Sequence, residues 1–215
     1  MNATHILFDL DGVISDNSEG IMNGVRRVIE HFSLERLDHA ELLRFIGPPL
    51  KDSFSEYLGL SAGDTELAVT VYREYYRERG IFENEMYDGV PEMLDRLREG
   101  GRKLYLATSK PEEFARRICE RFGIAQSFEY IGGADFAGIR DRKNDVIRYV
   151  LDENGIDPKR AVMVGDRRYD AIGAAEFSIP CVGVLYGFGT RDELTEAGCV
   201  HLAESPTALS EYLLA

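Results

Sequence analysis

Residues 161–170, with the sequence A-V-M-V-G-D-R-R-Y-D, decide the fold class. Four apolar residues are followed at once by Gly165, Asp166 and, four positions later, Asp170. Short apolar runs that end in glycine and polar residues are typical of strands buried on both faces of a parallel sheet. Ligands of open α/β sheets bind at the carboxyl ends of such strands. We therefore interpret Asp166 and Asp170 as candidate site residues that follow a buried strand.

Similar apolar runs recur along the chain and predict the rest of the sheet. They cover residues 5–9, 103–107 and 181–185, with weaker edge strands at residues 130–132 and 200–203. Apolar residues at helical spacing lie between these runs, as in Val90, Met93, Leu94 and Leu97. Alternating strands and helices indicate βαβ units. The predicted fold class is α/β, with a Rossmann-like, mostly parallel sheet at its core.

Residues 16–85 interrupt this alternation, because they contain helical patterns without a convincing strand. Helices are expected near residues 18–32, 39–45, 50–58 and 64–79. A segment of this length is too long for a loop. We expect residues 16–85 to form a small inserted helical-bundle domain, and residues 1–15 and 86–215 to form the core domain.

Composition and charge exclude several classes of function. The formal net charge of −13 disfavours nucleic acid and anionic membrane surfaces as partners. No apolar run reaches the roughly 18 residues of a membrane-spanning helix. Cys119, Cys181 and Cys199 show no metal or disulfide spacing, which indicates reduced thiols. We expect a cytoplasmic protein, monomeric or weakly dimeric, that acts on a small metabolite.

Polar residues also follow the other predicted strands. Asp9 and Asp11 leave the first strand, Thr108, Ser109 and Lys110 leave the second, and Lys143 precedes a later helix. Each has an ordinary structural explanation as well: a turn for the aspartates, a helix N-cap for Thr108 and Ser109, and a solvated charge for Lys143. Their occurrence in this order, each near a strand end, favours one shared site.

These residue types fit phosphoryl transfer through a carboxylate. Asp9 and Asp166 offer the hard oxygen ligands that Mg²⁺ prefers, and a carboxylate can attack phosphorus to give an aspartyl-phosphate. Asp11 can protonate the leaving alcohol and then deprotonate the attacking water. Thr108 and Lys143 can hold the phosphoryl oxygens. The sequence therefore predicts a Mg²⁺-dependent phosphatase.

The motifs D-L-D-G-V at 9–13, A-T-S-K at 107–110, the later Lys143 and V-G-D-R-R-Y-D at 164–170 resemble the four motifs of the haloacid dehalogenase (HAD) superfamily. The helical insertion is similar to that family's C1-type cap. The resemblance implies particular roles for the matching residues. It makes Asp9 the nucleophile and a metal ligand, and Asp11 the general acid/base with a backbone carbonyl on the metal. It implies that phosphate is bound by Gly12, Thr108, Ser109 and Lys143. It also implies that Asp166 is the last protein ligand of the metal and that Asp170 lies behind the metal ligands.

Within that superfamily the segments F-I-G-P-P-L at 45–50 and G-V-L-Y-G at 183–187 are similar to those of phosphoglycolate phosphatase-like proteins. A 5′-nucleotidase or a broad-specificity phosphatase is the alternative. A phosphomutase of the β-phosphoglucomutase kind and a non-catalytic phosphoacceptor are less favoured. In the predicted cap, Arg44 and Lys51 are candidates for binding a second anionic group of the substrate, although a solvated helix charge is the more ordinary explanation of each.

Overall fold

The structure, a computed structural model, describes residues 3–215. The described chain divides into two compact units. One comprises the chain up to Ser15 together with Met86–Ala215, and the other comprises Asp16–Glu85. Each unit is built around its own buried apolar residues.

The larger unit is organised by a parallel sheet. The strands are β1 (His5–Phe8), β2 (Ser15–Asp16), β3 (Glu85–Met86), β4 (Lys103–Pro111), β5 (Tyr130–Ala134), β6 (Ala161–Gly165), β7 (Cys181–Val184) and β8 (His201–Ala203). Within residues 3–215, six of them form a sheet in the order β5-β4-β1-β6-β7-β8, and every neighbouring pair is parallel. The short strands β2 and β3 pair with each other. The order places β1 between β4 and β6, so the carboxyl ends of these three strands meet at one edge.

Helices follow the strands along the chain. They are α1 (Ser18–His31), α2 (His39–Leu43), α3 (Leu50–Leu58), α4 (Ala62–Glu78), α5 (Val90–Glu99), α6 (Glu112–Arg121), α7 (Lys143–Asn154), α8 (Arg168–Ala175), α9 (Arg191–Glu196) and α10 (Pro206–Leu214). Helices α7 and α8 cover one face of the sheet, where Val146, Val150 and Ala174 pack against Leu7 and Met163. Ile6 and Phe8, which alternate with Leu7 and point to the opposite face, are also fully buried. The sheet is therefore buried on both faces.

The smaller unit contains α1 to α4, as the absence of strand patterns in residues 16–85 predicts. Helix α4 packs against α1 and α3. Phe54 lies at the centre of this packing. The centre of its ring is 6.1 Å from the ring centre of Tyr72 and 6.0 Å from that of Phe45. Gly24 of α1 has no side chain at the point where the Tyr72 ring approaches it. Aromatic packing thus forms the core of the helical unit.

The predicted α/β class and the parallel sheet are confirmed, and one local prediction is wrong. Thr108 and Ser109 do not cap a helix, because β4 continues to Pro111 and α6 begins only at Glu112. The pairing of β4 with β5 shifts register between Thr108 and Pro111. With this irregularity, β4 continues into the polar residues that follow its apolar run. Among residues 3–215, no helix combines the length and apolar character that a bilayer crossing requires.

Candidate active site

The predicted site residues of the larger unit lie along the carboxyl edge of the sheet. Asp9 follows β1 directly, Asp166 follows β6 directly, and Thr108 lies near the end of β4. The Asp9 N–H donates to the Val164 carbonyl at 2.9 Å, which extends the ladder between β1 and β6 by one residue. Adjacent parallel strands therefore hold the backbones of Asp9 and Asp166 side by side.

Asp9, Asp166 and Asp170 form a cluster of carboxylates, with an oxygen of each within 4.8 Å of the others. Asp166 and Asp170 are buried, whereas Asp9 retains some exposure. Burial, reinforced by the nearby Asp170 and Asp9 carboxylates, raises the pKa of Asp166 well above its ordinary value. Burial also raises the pKa of Asp170, against the opposing effect of Lys143. Negative charge crowded in this way favours binding of a cation.

The donor set of this cluster fits a hard divalent cation such as Mg²⁺. Oδ1 of Asp166 is buried and has no hydrogen-bond partner within residues 3–215. An unpaired buried oxygen is costly unless something binds it. Carboxylate oxygens are the ligands that Mg²⁺ takes in proteins. Asp9 and Asp166 are thus suited to hold the ion, with Asp170 beside them.

Backbone groups close tightly around Asp166. Its Oδ2 accepts a hydrogen bond of 2.7 Å from the N–H of Phe188, in the segment that follows β7. Gly12, with a φ of +78°, lies so close to the Asp166 carboxylate that a Cβ there would overlap it. Gly187 approaches the Gly12 carbonyl and Asp166 from the other side. The sequence indicated Gly12 as part of the site, but gave no sign of the Phe188 N–H.

Lys143 is buried between two of the carboxylates. Its side chain is 5% exposed, and Nζ lies 2.9 Å from Asp9 Oδ1 and 2.8 Å from Asp170 Oδ1. Nζ also donates to the carbonyl of Ala107 at 3.1 Å. Burial opposes the charged form, but the Asp170 and Asp9 carboxylates outweigh it and raise the pKa of Lys143. The alternative interpretation of Lys143 as a solvated helix charge is therefore wrong.

Asp11 does not belong to the carboxylate cluster of Asp9, Asp166 and Asp170, and it pairs with a cation of its own. Its Oδ2 is 3.0 Å from Nζ of Lys110, whose side chain is 5% exposed. The sequence placed Lys110 among the polar residues after the second strand, in the A-T-S-K motif, but indicated no role for it. The signal in the sequence was the position of Lys110 two residues after Thr108. Because the predicted strand ends at residue 107, however, the prediction leaves Lys110 in a loop.

Thr108 and Ser109 lie on the same strand but differ in burial. Thr108 is 1% exposed, and its Oγ1 accepts a hydrogen bond from the Lys110 N–H at 3.2 Å. Ser109 is half-buried. Both lie in the stretch where β4 changes register against β5, beside the end of β1.

The remaining predicted residues, Arg44 and Lys51, belong to the helical unit and have partners inside it. The Arg44 guanidinium lies 4.1 Å from the centre of the Tyr57 ring. Nζ of Lys51 lies 2.5 Å from Glu66 Oε1 in an exposed ion pair. Local partners thus account for both charges within this unit.

Replacing Gly12 by alanine tests the packing around Asp166. We expect the Gly12→Ala protein to unfold at a lower temperature and to lose most of its activity, because the new Cβ displaces the Asp166 carboxylate. Gly155 is the matched control, since its φ of +59° is also positive but nothing lies within 4 Å of its Cβ position. Backbone strain alone should lower the free energy of unfolding of Gly155→Ala by about 1–2 kcal/mol. In Gly12→Ala, overlap of the new Cβ with Asp166 should lower it by about 1–3 kcal/mol more. Equal losses of stability in the two variants would contradict the packing argument.

Comparison with known proteins agrees with this geometry. The profile of the haloacid dehalogenase-like hydrolases matches residues 6–184. A 5′-nucleotidase of Pseudomonas aeruginosa is 40% identical over 209 residues, 97% of this chain and 95% of that protein. A Mycobacterium tuberculosis protein named tyrosine-protein kinase PtkA is 37% identical over 203 residues, 94% of this chain and 69% of that protein. The crystal structure of a predicted phosphatase from Clostridium acetobutylicum is 39% identical, with a TM-score of 0.96 over 100% of this chain and 99% of that one.

The fold and the aspartate site are those of a class of hydrolases, and the similar proteins identify that class. The chain belongs to the haloacid dehalogenase-like hydrolase family. It is a phosphatase of that family. The resemblance drawn from the four sequence motifs is thereby confirmed.

Proposed function

We propose that this protein is a Mg²⁺-dependent phosphatase of small phosphate monoesters that acts through an aspartyl-phosphate at Asp9. The observation that carries the proposal is the arrangement of Asp9: partly exposed, 2.9 Å from Lys143, and clustered with Asp166 and Asp170. Mg²⁺, held by Asp9 and Asp166, would offset the charge of the phosphoryl group and of the carboxylates around it.

The protein's own residues then divide the reaction into two displacements. Oδ of Asp9 attacks phosphorus while the ester P–O bond breaks, and protonated Asp11 gives its proton to the departing alcohol oxygen. Water next attacks phosphorus, Asp11 takes its proton, and the bond between Asp9 and phosphorus breaks. Asp11 ends protonated as it began, and the products are an alcohol and inorganic phosphate.

Lys143 and Thr108 support the phosphoryl group in this scheme. The Lys143 ammonium holds Asp9 in place and supplies positive charge next to the attacking oxygen. Thr108, buried beside the end of β1, places a hydroxyl group at the same edge of the sheet. The Gly12 N–H, predicted to bind phosphate, donates instead to the Ser15 carbonyl at 2.9 Å, and the φ of +78° at Gly12 serves the turn after Asp11 and the close approach to Asp166.

A nucleoside 5′-monophosphate is the substrate that we propose first. Its support is the 40% identity with a 5′-nucleotidase along almost the whole length of both chains. Phosphoglycolate, indicated by the segments at 45–50 and 183–187, is the second candidate.

Phosphate release across a substrate panel tests the function. The panel contains nucleoside monophosphates, phosphoglycolate, sugar phosphates, pyridoxal phosphate and phosphotyrosine, each with Mg²⁺ and with EDTA. We expect Mg²⁺-dependent release that is highest for a nucleoside monophosphate. Higher release from phosphoglycolate would overturn the substrate and keep the chemistry. A stable phosphoprotein without release would indicate a phosphoacceptor, and substrate loss without inorganic phosphate would indicate a phosphomutase.

A further inference from the structure

Lys110 is a buried cation that the proposed reaction does not use. It is 8% exposed and lies where β4 changes register against β5, between Thr108 and Pro111. Its N–H donates to Thr108 Oγ1 at 3.2 Å. A lysine in so enclosed a position is rare unless its charge has a partner. Asp11 is such a partner, with Oδ2 at 3.0 Å from Nζ.

The backbone at Lys110 is held closely from the side of β5. A Cβ added to Gly133 would lie 2.5 Å from the Lys110 carbonyl oxygen and 2.8 Å from Cα of Glu112. Only glycine permits this approach of β5 to the end of β4. The start of the lysine side chain is therefore fixed by the sheet and not by a mobile loop.

The two oxygens of Asp11 have different surroundings. Oδ2 pairs with Lys110, whereas Oδ1 is buried and has no hydrogen-bond partner among the residues that the structure describes. The side chain as a whole is 19% exposed. An ion pair that engages one oxygen restricts the rotation of the carboxyl group and so determines where the other oxygen points.

We propose that Lys110 is a positioning residue for Asp11. It holds Oδ2 and thereby fixes the orientation of the carboxyl group that exchanges a proton with the leaving oxygen and then with water. This inference rests on the proposed function, since it assigns a role within that reaction. Lys110 keeps its own proton throughout, so the proton balance of the two displacements is unchanged. The arrangement parallels that of Lys143 and Asp9, in which another buried lysine holds the attacking carboxylate.

Two substrates with different leaving groups separate this role from phosphate binding. p-Nitrophenolate departs without a proton, whereas the alkoxide of an alkyl phosphate needs one. In Lys110→Met, kcat/KM for the alkyl phosphate is expected to fall by about 10- to 100-fold, a part of what general acid catalysis contributes. kcat/KM for p-nitrophenyl phosphate, which reports only steps up to departure of the leaving group, should change by less than about threefold.

The second displacement gives an independent readout. Water attack requires Asp11 for every substrate, so Lys110→Met should slow turnover of p-nitrophenyl phosphate after a burst of one p-nitrophenolate per enzyme. In an Asp11→Asn background, Lys110→Met should change kcat by less than about twofold, because the group it positions is gone. Lys110→Arg keeps a cation near Oδ2 and should retain more activity than Lys110→Met.

Controls distinguish the inference from folding and from the proposed function itself. Lys159→Met removes an exposed lysine and should match the wild type. Equal losses of kcat/KM for both substrates in a Lys110→Met protein that melts like the wild type would show that Lys110 acts on the phosphoryl group, and would overturn the positioning role alone. If Lys110→Met does not fold, Lys110→Arg with the same two substrates decides the question. Absence of turnover in the wild type would overturn the proposed function and this inference with it.

Discussion

Asp9→Asn is expected to lower kcat by about 10⁴-fold or more, the scale of loss when the nucleophile of a covalent mechanism is removed. An amide nitrogen or amide oxygen cannot form the aspartyl-phosphate, so both displacements lose their common centre. The measurement is steady-state phosphate release with Mg²⁺ at saturating substrate. Acid-quenched wild-type enzyme should carry phosphate on the peptide that contains residue 9, and the variant should not.

The fold should survive this substitution. Asp9 Oδ1 accepts a hydrogen bond of 2.8 Å from the Leu10 N–H, and an asparagine oxygen can accept the same bond. Lys143 loses one carboxylate but keeps Asp170 at 2.8 Å. Removing a negative charge beside Asp166 and Asp170 also relieves repulsion within the cluster. We therefore expect a melting temperature within a few degrees of the wild type.

Asp95→Asn is a suitable control, since Asp95 is an exposed residue of α5 that makes a weak pair with Arg98 at 3.6 Å. Its activity and stability should match the wild type, because an exposed pair of this kind contributes little. A residual rate in Asp9→Asn of more than about one percent would exclude Asp9 as the nucleophile, since the expected loss is 10⁴-fold or more.

The sheet was predictable because its strands are short apolar runs that signal burial locally. Strands β1, β6 and β7 differ from their predicted bounds by a single residue, and the parallel direction of the strands follows from the helices that alternate with them. Strand β4 was predicted too short, because its last residues are polar. They stay in the strand through a register shift with β5, which depends on the close approach of Gly133.

The side-chain partners of the site could be predicted only where they follow from strand order. Asp9 and Asp166 meet because β1 and β6 are neighbours. The burial of Lys143 depends on carboxylates that are distant in sequence, and its position at a helix start looks like that of any solvated charge. The role of Lys110 could not be predicted because its pairing with Asp11 depends on the irregular end of β4.

Asp166→Asn is expected to abolish the effect of Mg²⁺ on both activity and stability. Loss of a ligand should lower kcat/KM with Mg²⁺ by more than the ~10- to 100-fold typical of groups behind the ligands. In the wild type, Mg²⁺ should raise the melting temperature, because an ion that binds only the folded protein stabilises it. In the variant this rise should disappear. Asp152→Asn, at an exposed position of α7, should keep it.

Without metal the same substitution should stabilise the protein, and the sign follows from the pKa of Asp166. Burial raises this pKa in the folded state above the unfolded value of about 3.9, so the folded protein favours the neutral form. The contribution of Asp166 to the stability of the metal-free wild type is then greatest below the unfolded pKa and is lost as the pH rises toward the folded pKa. Asparagine carries no charge, and its oxygen can still accept from the Phe188 N–H. At pH 8 in EDTA, the melting temperature of Asp166→Asn should therefore exceed that of the wild type. The expected difference is about 2–4 °C for each kcal/mol by which removal of the buried charge stabilises the protein. A lower melting temperature than metal-free wild type would show that the Asp166 carboxylate stabilises the fold itself and is not reserved for a cation.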